Sequence, residues 1–305
     1  MQGIGLLQVC LYQRKWRKMT VKKLALPEIS WVNPFESDVP GLKHMTFFST
    51  SMQKEIGYAI YLPPAYIQSR SRADAFPVIY WLHGKGGDET SGFRVRFPEM
   101  YHKAIIEGKA EQAMVVFPNG GNYSMFCDSY DDTILAETAL IEELMPIIDS
   151  TYNTIKSGTA RAIEGFSMGG FGAVKLSFKY PDLFSSVITY AGSFHDLDGV
   201  SEKRPHVFER MFHNNVEYFQ KNNPYVIARS NARLIKKHIR LMFINGSEDF
   251  TLPTNYKFFT LLDELGISYD KKILEGFRHI PGPYYDAEGI NGFAFHFSNF
   301  KKPGI

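Results

Sequence analysis

Cysteine is nearly missing from this chain: Cys10 and Cys127 are the only two in 305 residues. Two thiols so far apart build no disulfide framework and no metal set. They fit a reducing compartment, and with no recognisable secretory signal the expected location is cytoplasmic. An excess of one charge is missing too. The 34 basic and 32 acidic residues leave a formal net charge of +2, so there is no electrostatic case for nucleic acid or an acidic membrane. The sequence has no apolar run long enough to span a bilayer. It has no internal repeat and no low-complexity tract. A Walker loop and a Gly-x-Gly-x-x-Gly fingerprint with a following acid are both absent. The expected partner is a small molecule, and no metal set is expected.

What is present is ordinary globular material: 44% hydrophobic and 22% charged residues. The length suits one large α/β domain with a well-buried core. Aromatic residues reach 15%, and the reading preferred for them is core packing over a pocket lining. Residues 1–18 stand apart. A mildly apolar stretch precedes a basic cluster at 14–18, the reverse of a secretory signal. They read as an upstream extension or disordered tail, with a membrane-surface anchor as the lesser alternative. The extension is expected to run to residue 40 and the folded domain from 41 to 305.

Short apolar runs alternate with helical patterns, which predicts a mainly parallel sheet with helices on both faces. Strands are expected at 56–62, 78–82, 114–117, 161–164, 186–190, 241–244 and 271–274. Helices are expected around 137–148, at 169–180, and at 253–265 with Gly266 past its end. The stretch 194–238 is less regular and reads as a cap over the sheet.

The chemistry centres on Gly165-Phe166-Ser167-Met168-Gly169. Between a strand-like run and a helix start, Gly-x-Ser-x-Gly predicts a sharp turn that lifts the Ser167 hydroxyl out of the backbone. The flanking glycines leave room where side chains would collide. A serine hydroxyl needs a base to take its proton and an acid to orient that base. In the chain order Ser, acid, His, only His279 and His296 follow both Ser167 and the strand ending at Ile244. Asp249 and His279 each fall just past a strand, where an open α/β sheet presents its ligand-binding groups. Glu248 is the rival acid. His296, set among aromatics, reads as a packed helix residue. Two backbone amides must receive the developing oxyanion. Met168, directly after the nucleophile, supplies one. Lys85, in the glycine-rich loop Leu82-His83-Gly84-Lys85-Gly86-Gly87, supplies the other.

Four segments carry a resemblance: that loop, Glu143-Leu144-Met145-Pro146, the run from Arg161 through Ser167 to Ala173, and Tyr180-Pro181-Asp182-Leu183-Phe184. Across about residues 45–300 the chain resembles the Putative esterase (esterase D-like) group of α/β-hydrolases. The resemblance implies an α/β-hydrolase fold and cofactor-free ester hydrolysis. It places the nucleophile on Ser167, the acid on Asp249, the base on His279, and the oxyanion amides on Lys85 and Met168. The segment Phe277-Arg278-His279 departs from the Gly-His-aromatic stretch common at the base. The elbow and Tyr123-Ser124-Met125-Phe126 look closer to the feruloyl and general carboxylesterase branch. Phe208, Phe212, Tyr218 and Phe219 of the cap are then expected to contact an aromatic acyl group. The alternatives are an acyltransferase of the mycolyltransferase type, a thioesterase similar to S-formylglutathione hydrolase and, last, a non-catalytic binding protein.

Overall fold

Apolar runs without polar interruption need cover on both sides, and the computed structural model of this protein provides it. The structure describes residues 27–68 and 75–301; the notable stretch 1–18 lies outside them. The strands are β1 (Leu42–Ser49), β2 (Lys54–Tyr61), β3 (Val78–Leu82), β4 (Met114–Pro118), β5 (Arg161–Phe166), β6 (Ser186–Tyr190), β7 (Arg240–Gly246) and β8 (Asp270–Leu274). They form one sheet in the order β1-β2-β4-β3-β5-β6-β7-β8. The β1–β2 and β2–β4 pairs are antiparallel and the others parallel. The architecture is that of an α/β-hydrolase. β1 was not anticipated, because as an edge strand it buries only Leu42, Phe47 and Ser49.

Alternate residues of the central strands feed two cores. Val78, Tyr80 and Leu82 of β3 face one, Ile79 and Trp81 the other. Helices Phe97–Ile106 and Pro281–Asn299 close the second core, where the Tyr101 and Phe293 rings lie 4.2 Å apart. Helices Met168–Lys179, Pro224–His238 and Leu252–Leu265 contribute to the first. Gly266 sits past the last of these in the left-handed region at φ +62°, as expected. Most of the aromatic surplus is spent on packing.

Two regions differ from the sequence reading. The stretch 194–238 is helical, as Leu197–Lys203, Pro205–Phe212, Val216–Lys221 and Pro224–His238. Phe208, Phe212 and Phe219 are buried against one another, with centroids 5.2–6.3 Å apart. The Tyr218 hydroxyl donates to the Asp128 carbonyl. Phe208, Phe212 and Phe219 therefore build the interior of the cap, with the partly buried Tyr218 packed against them. The second region is the end of the expected extension, which is integral to the domain. The Gly57 amide donates to Trp31 O at 2.7 Å, and Phe35 stacks on Phe93. The buried Glu89 carboxylate accepts from the Asn33 amide and side chain and from Asn119.

The helical stretch 136–151, widened to π turns over Ala139–Leu144, hides a charge pair that periodicity did not reveal. Glu137 is buried with the fully buried Lys175, which also donates to Phe126 O; Lys179 and the Tyr180 hydroxyl complete the cluster. Burial alone would raise the Glu137 carboxyl. The two ammonium groups outweigh it and bring it down to about 2. A carboxyl lowered on folding contributes stability above its ordinary value of 4.5. That contribution is lost as pH falls toward the folded value. Glu137→Gln leaves Lys175 buried without a counter-charge. Denaturant melts at pH 7 are expected to show a loss of about 3–5 kcal/mol. The difference from wild type should shrink on acidification from pH 5 toward 2; an unchanged difference would refute this account.

Candidate active site

Ser167 is placed by a backbone conformation that few residues adopt. β5 ends at Phe166, the next helix begins at Met168, and Ser167 between them sits at φ +58°, ψ −111°. Strain of this kind persists only where neighbours enforce it. Here the Ser167 amide donates to Tyr190 O of β6 at 2.9 Å, and the Ser193 amide donates to Ser167 O at 3.0 Å. A Cβ on Gly169 would stand 2.0 Å from Leu82 O, and one on Gly165 would stand 2.5 Å from the Gly169 carbonyl carbon. Both positions must be glycine for the strand, turn and helix to pack this closely.

Parallel register does the rest. Leu82 lies opposite Gly165, Phe166 opposite Tyr190, and Gly246 opposite Leu274. The loops after β3, β5, β7 and β8 therefore open at the same edge. His279 Nε2 lies 2.8 Å from Ser167 Oγ, and His279 Nδ1 lies 2.9 Å from each Asp249 carboxylate oxygen. An ionised carboxylate only accepts, so Nδ1 carries the ring proton and Nε2 is left to accept from the serine hydroxyl. Burial alone would raise the Asp249 carboxyl. Hydrogen bonds from His279 and from the Thr251 amide and hydroxyl overcome this and hold it below the usual carboxylate range. The Tyr284 hydroxyl donates to Asp249 Oδ2 at 2.8 Å.

The structure thus brings Ser167, Asp249 and His279 together and leaves their rivals outside. Glu248 points into solvent and pairs with Arg278. His296 is fully buried in the helix Pro281–Asn299, bonded to Ser186 Oγ and Glu164 Oε2. His195 bonds to Ser193 Oγ, and burial pulls it down to about 4, so it is neutral at pH 7.

The glycine-rich loop runs against the Ser167 turn: a Cβ on Gly84 would lie 3.4 Å from Phe166 O and 3.7 Å from Ser167 Cβ. The loop is tied down at Gly86, whose amide donates to Asn122 O, and at Gly87, whose amide donates to Gly84 O. His83 is buried beneath it. The Gly120 amide donates to His83 Nε2, so Nδ1 carries the proton and donates to Gly84 O at 2.9 Å. Burial lowers the His83 pKa, which keeps the ring neutral. The Lys85 amide has no partner among the described residues, and the Met168 amide, in the first helical turn, has none within its helix. The Lys85 ammonium is lowered by partial burial and then by the Arg204 guanidinium. Neither side chain has an acidic partner among the described residues.

Sequence reasoning missed the roles of five neighbours of the site. Thr251 was within its reach, because an Asp two residues before a Thr often closes a local side-chain turn. His83 was read only as part of its loop. Tyr284 lies 35 positions from Asp249, and no spacing links the two. Phe250 and Phe166 flank the His279 ring at 4.3 and 4.7 Å.

Comparison with known proteins agrees with this architecture. A family profile described as Putative esterase matches residues 49–265. An esterase of Mycobacterium tuberculosis is 33% identical over 156 residues, covering 50% of this chain and 32% of its own length. The chain thus spans about a third of that relative. The S-formylglutathione hydrolase of Arabidopsis thaliana is 27% identical over 182 residues, covering 54% of this chain and 61% of its own. Among solved structures, a ferulic acid esterase superposes with a TM-score of 0.71 at 21% identity, over 85% of this chain and 97% of its own. An S-formylglutathione hydrolase from Agrobacterium tumefaciens superposes with a TM-score of 0.73 at 15% identity, over 87% and 98%. At these identities the superpositions show the fold.

Proposed function

The chain belongs to the Putative esterase family, and on that premise we propose that it hydrolyses carboxylic esters through an acyl-enzyme on Ser167. The observation that carries this reading is the unbroken line of hydrogen bonds from Asp249 through His279 to the Ser167 hydroxyl. Ser167 Oγ attacks the acyl carbon while its proton passes to His279 Nε2. The carbonyl oxygen becomes an oxyanion and is received by the Lys85 and Met168 amides. His279 then delivers the proton to the alcohol oxygen as the acyl carbon–alkoxy bond breaks. A water gives its proton to His279, attacks the acyl carbon and frees the acid, and the proton returns to Ser167 Oγ. Asp249 stays ionised throughout and steadies the imidazolium. No step calls on a cofactor or metal.

The ester class favoured is feruloyl or another phenolic or sugar ester, on the sequence resemblance and on the named activities of the relatives. A thioesterase is the second reading, favoured by the likeness to S-formylglutathione hydrolases. The test is kcat/KM on methyl ferulate, 4-nitrophenyl acetate and S-formylglutathione. Turnover of the oxygen esters is expected, with methyl ferulate ahead of S-formylglutathione. A preference for the thioester by 100-fold or more would establish the second reading, and no turnover of any of the three would remove both.

A further inference from the structure

Phe250 is a large aromatic left in water beside the base of the proposed triad. Its side chain is 60% exposed, yet its ring centroid lies only 4.3 Å from that of His279, at an interplanar angle of 48°. The imidazole also packs against the buried Phe166, 4.7 Å away. Both Asp249 oxygens hold the ring by Nδ1. The base is therefore oriented without Phe250, whose exposed surface remains unaccounted for. The position of Phe250 is also fixed. It stands between Asp249 and Thr251, and the Thr251 amide and hydroxyl both bond to Asp249 Oδ1. The Leu252 amide donates to Asp249 O. An apolar platform on a held backbone loses less freedom when a ligand covers it.

The chemistry says which part of a substrate that platform meets. In the tetrahedral intermediate the carbonyl oxygen points to the Lys85 and Met168 amides, while the alkoxy oxygen must reach His279 Nε2 to collect its proton. The alcohol side of the ester must therefore come to the His279 edge that carries Nε2, and Phe250 is the exposed aromatic packed against that ring. Ile280, next in the chain to His279, is exposed by 56% and adds apolar surface beside it. Resting on the ester-hydrolase reading above, we propose that Phe250 is a specificity-determining residue that selects esters of aromatic or bulky apolar alcohols by stacking on the leaving group.

Benzyl acetate and methyl acetate test this, since they share one acyl group and release alcohols of similar basicity. Wild type is expected to favour benzyl acetate in kcat/KM. Phe250→Ala is expected to lose about ten-fold of that preference, the scale of one aromatic contact, while its melting temperature stays near that of wild type. Phe250→Tyr, which keeps the ring, is expected to retain it. The alcohol has left before the acyl-enzyme is hydrolysed, so the loss in Phe250→Ala should fall on the burst phase with 4-nitrophenyl acetate and not mainly on the steady-state rate after it. An equal loss on the two acetates, or a loss mainly in the rate after the burst, would show that Phe250 only shields the base and would overturn the proposal alone. A wild type that hydrolyses neither these acetates nor 4-nitrophenyl acetate would overturn the ester-hydrolase reading and this inference with it.

Discussion

Ser167→Ala is expected to lower kcat on any ester the protein turns over by about a million-fold, the scale set by loss of a nucleophile that works as a unit with its base. Removing Oγ leaves His279 Nε2 with no hydroxyl at 2.8 Å and leaves the acyl carbon with no attacking group. The backbone has no reason to change. Alanine keeps the Cβ, and the amide and carbonyl bonds to Tyr190 and Ser193 that enforce φ +58° are untouched. The variant should therefore melt near wild type, fail to give a burst with 4-nitrophenyl acetate, and still bind product. Its residual rate reports what the amide pair and binding supply alone. Turnover within a hundred-fold of wild type would show that Ser167 is not the nucleophile.

Asp249→Asn is expected to lower kcat by about 10⁴-fold, with a smaller effect on KM. The cause is geometric as much as electrostatic. His279 Nδ1, the Thr251 amide, the Thr251 hydroxyl and the Tyr284 hydroxyl all bond to this carboxylate. A carboxylate has lone pairs for all of them; an amide turns one of its two ends into a donor. If that end faces His279, the ring takes the other tautomer, with its proton on Nε2 where Ser167 needs an acceptor. Glu248→Gln, one residue away, is the matched control. It breaks only an exposed pair with Arg278, worth little in water, and activity should stay within two-fold. Equal losses in the two variants would mean that the acid had been misassigned.

How much of this was legible beforehand depended on how local each determinant is. The elbow was legible because its demands are steric and confined to five residues: the glycines at 165 and 169 answer to Leu82 O and to each other. β3 and β6 fell at 78–82 and 186–190 as expected, since an unbroken apolar run is a local signal. The edge strand β1 was not legible, because half-exposed strands alternate weakly. The cap shows the opposite failure. Its aromatics were read as a pocket roof, but the helices that carry them turn Phe208, Phe212 and Phe219 inward. Without knowing which face of a helix meets the core, a sequence cannot separate a lining residue from a packing one.

The chain by itself determined the turn that carries Ser167, the class of fold and the order in which Ser167, Asp249 and His279 occur, because each is written in neighbouring residues. Only the tertiary structure decided that Asp249 and not Glu248 faces the imidazole, that Tyr284 and Thr251 join it, and that Phe250 is left beside the base. Ser167 and His279 are 112 positions apart. Their meeting depends on strand register and on the loops it aligns, and those come from packing across the whole sheet.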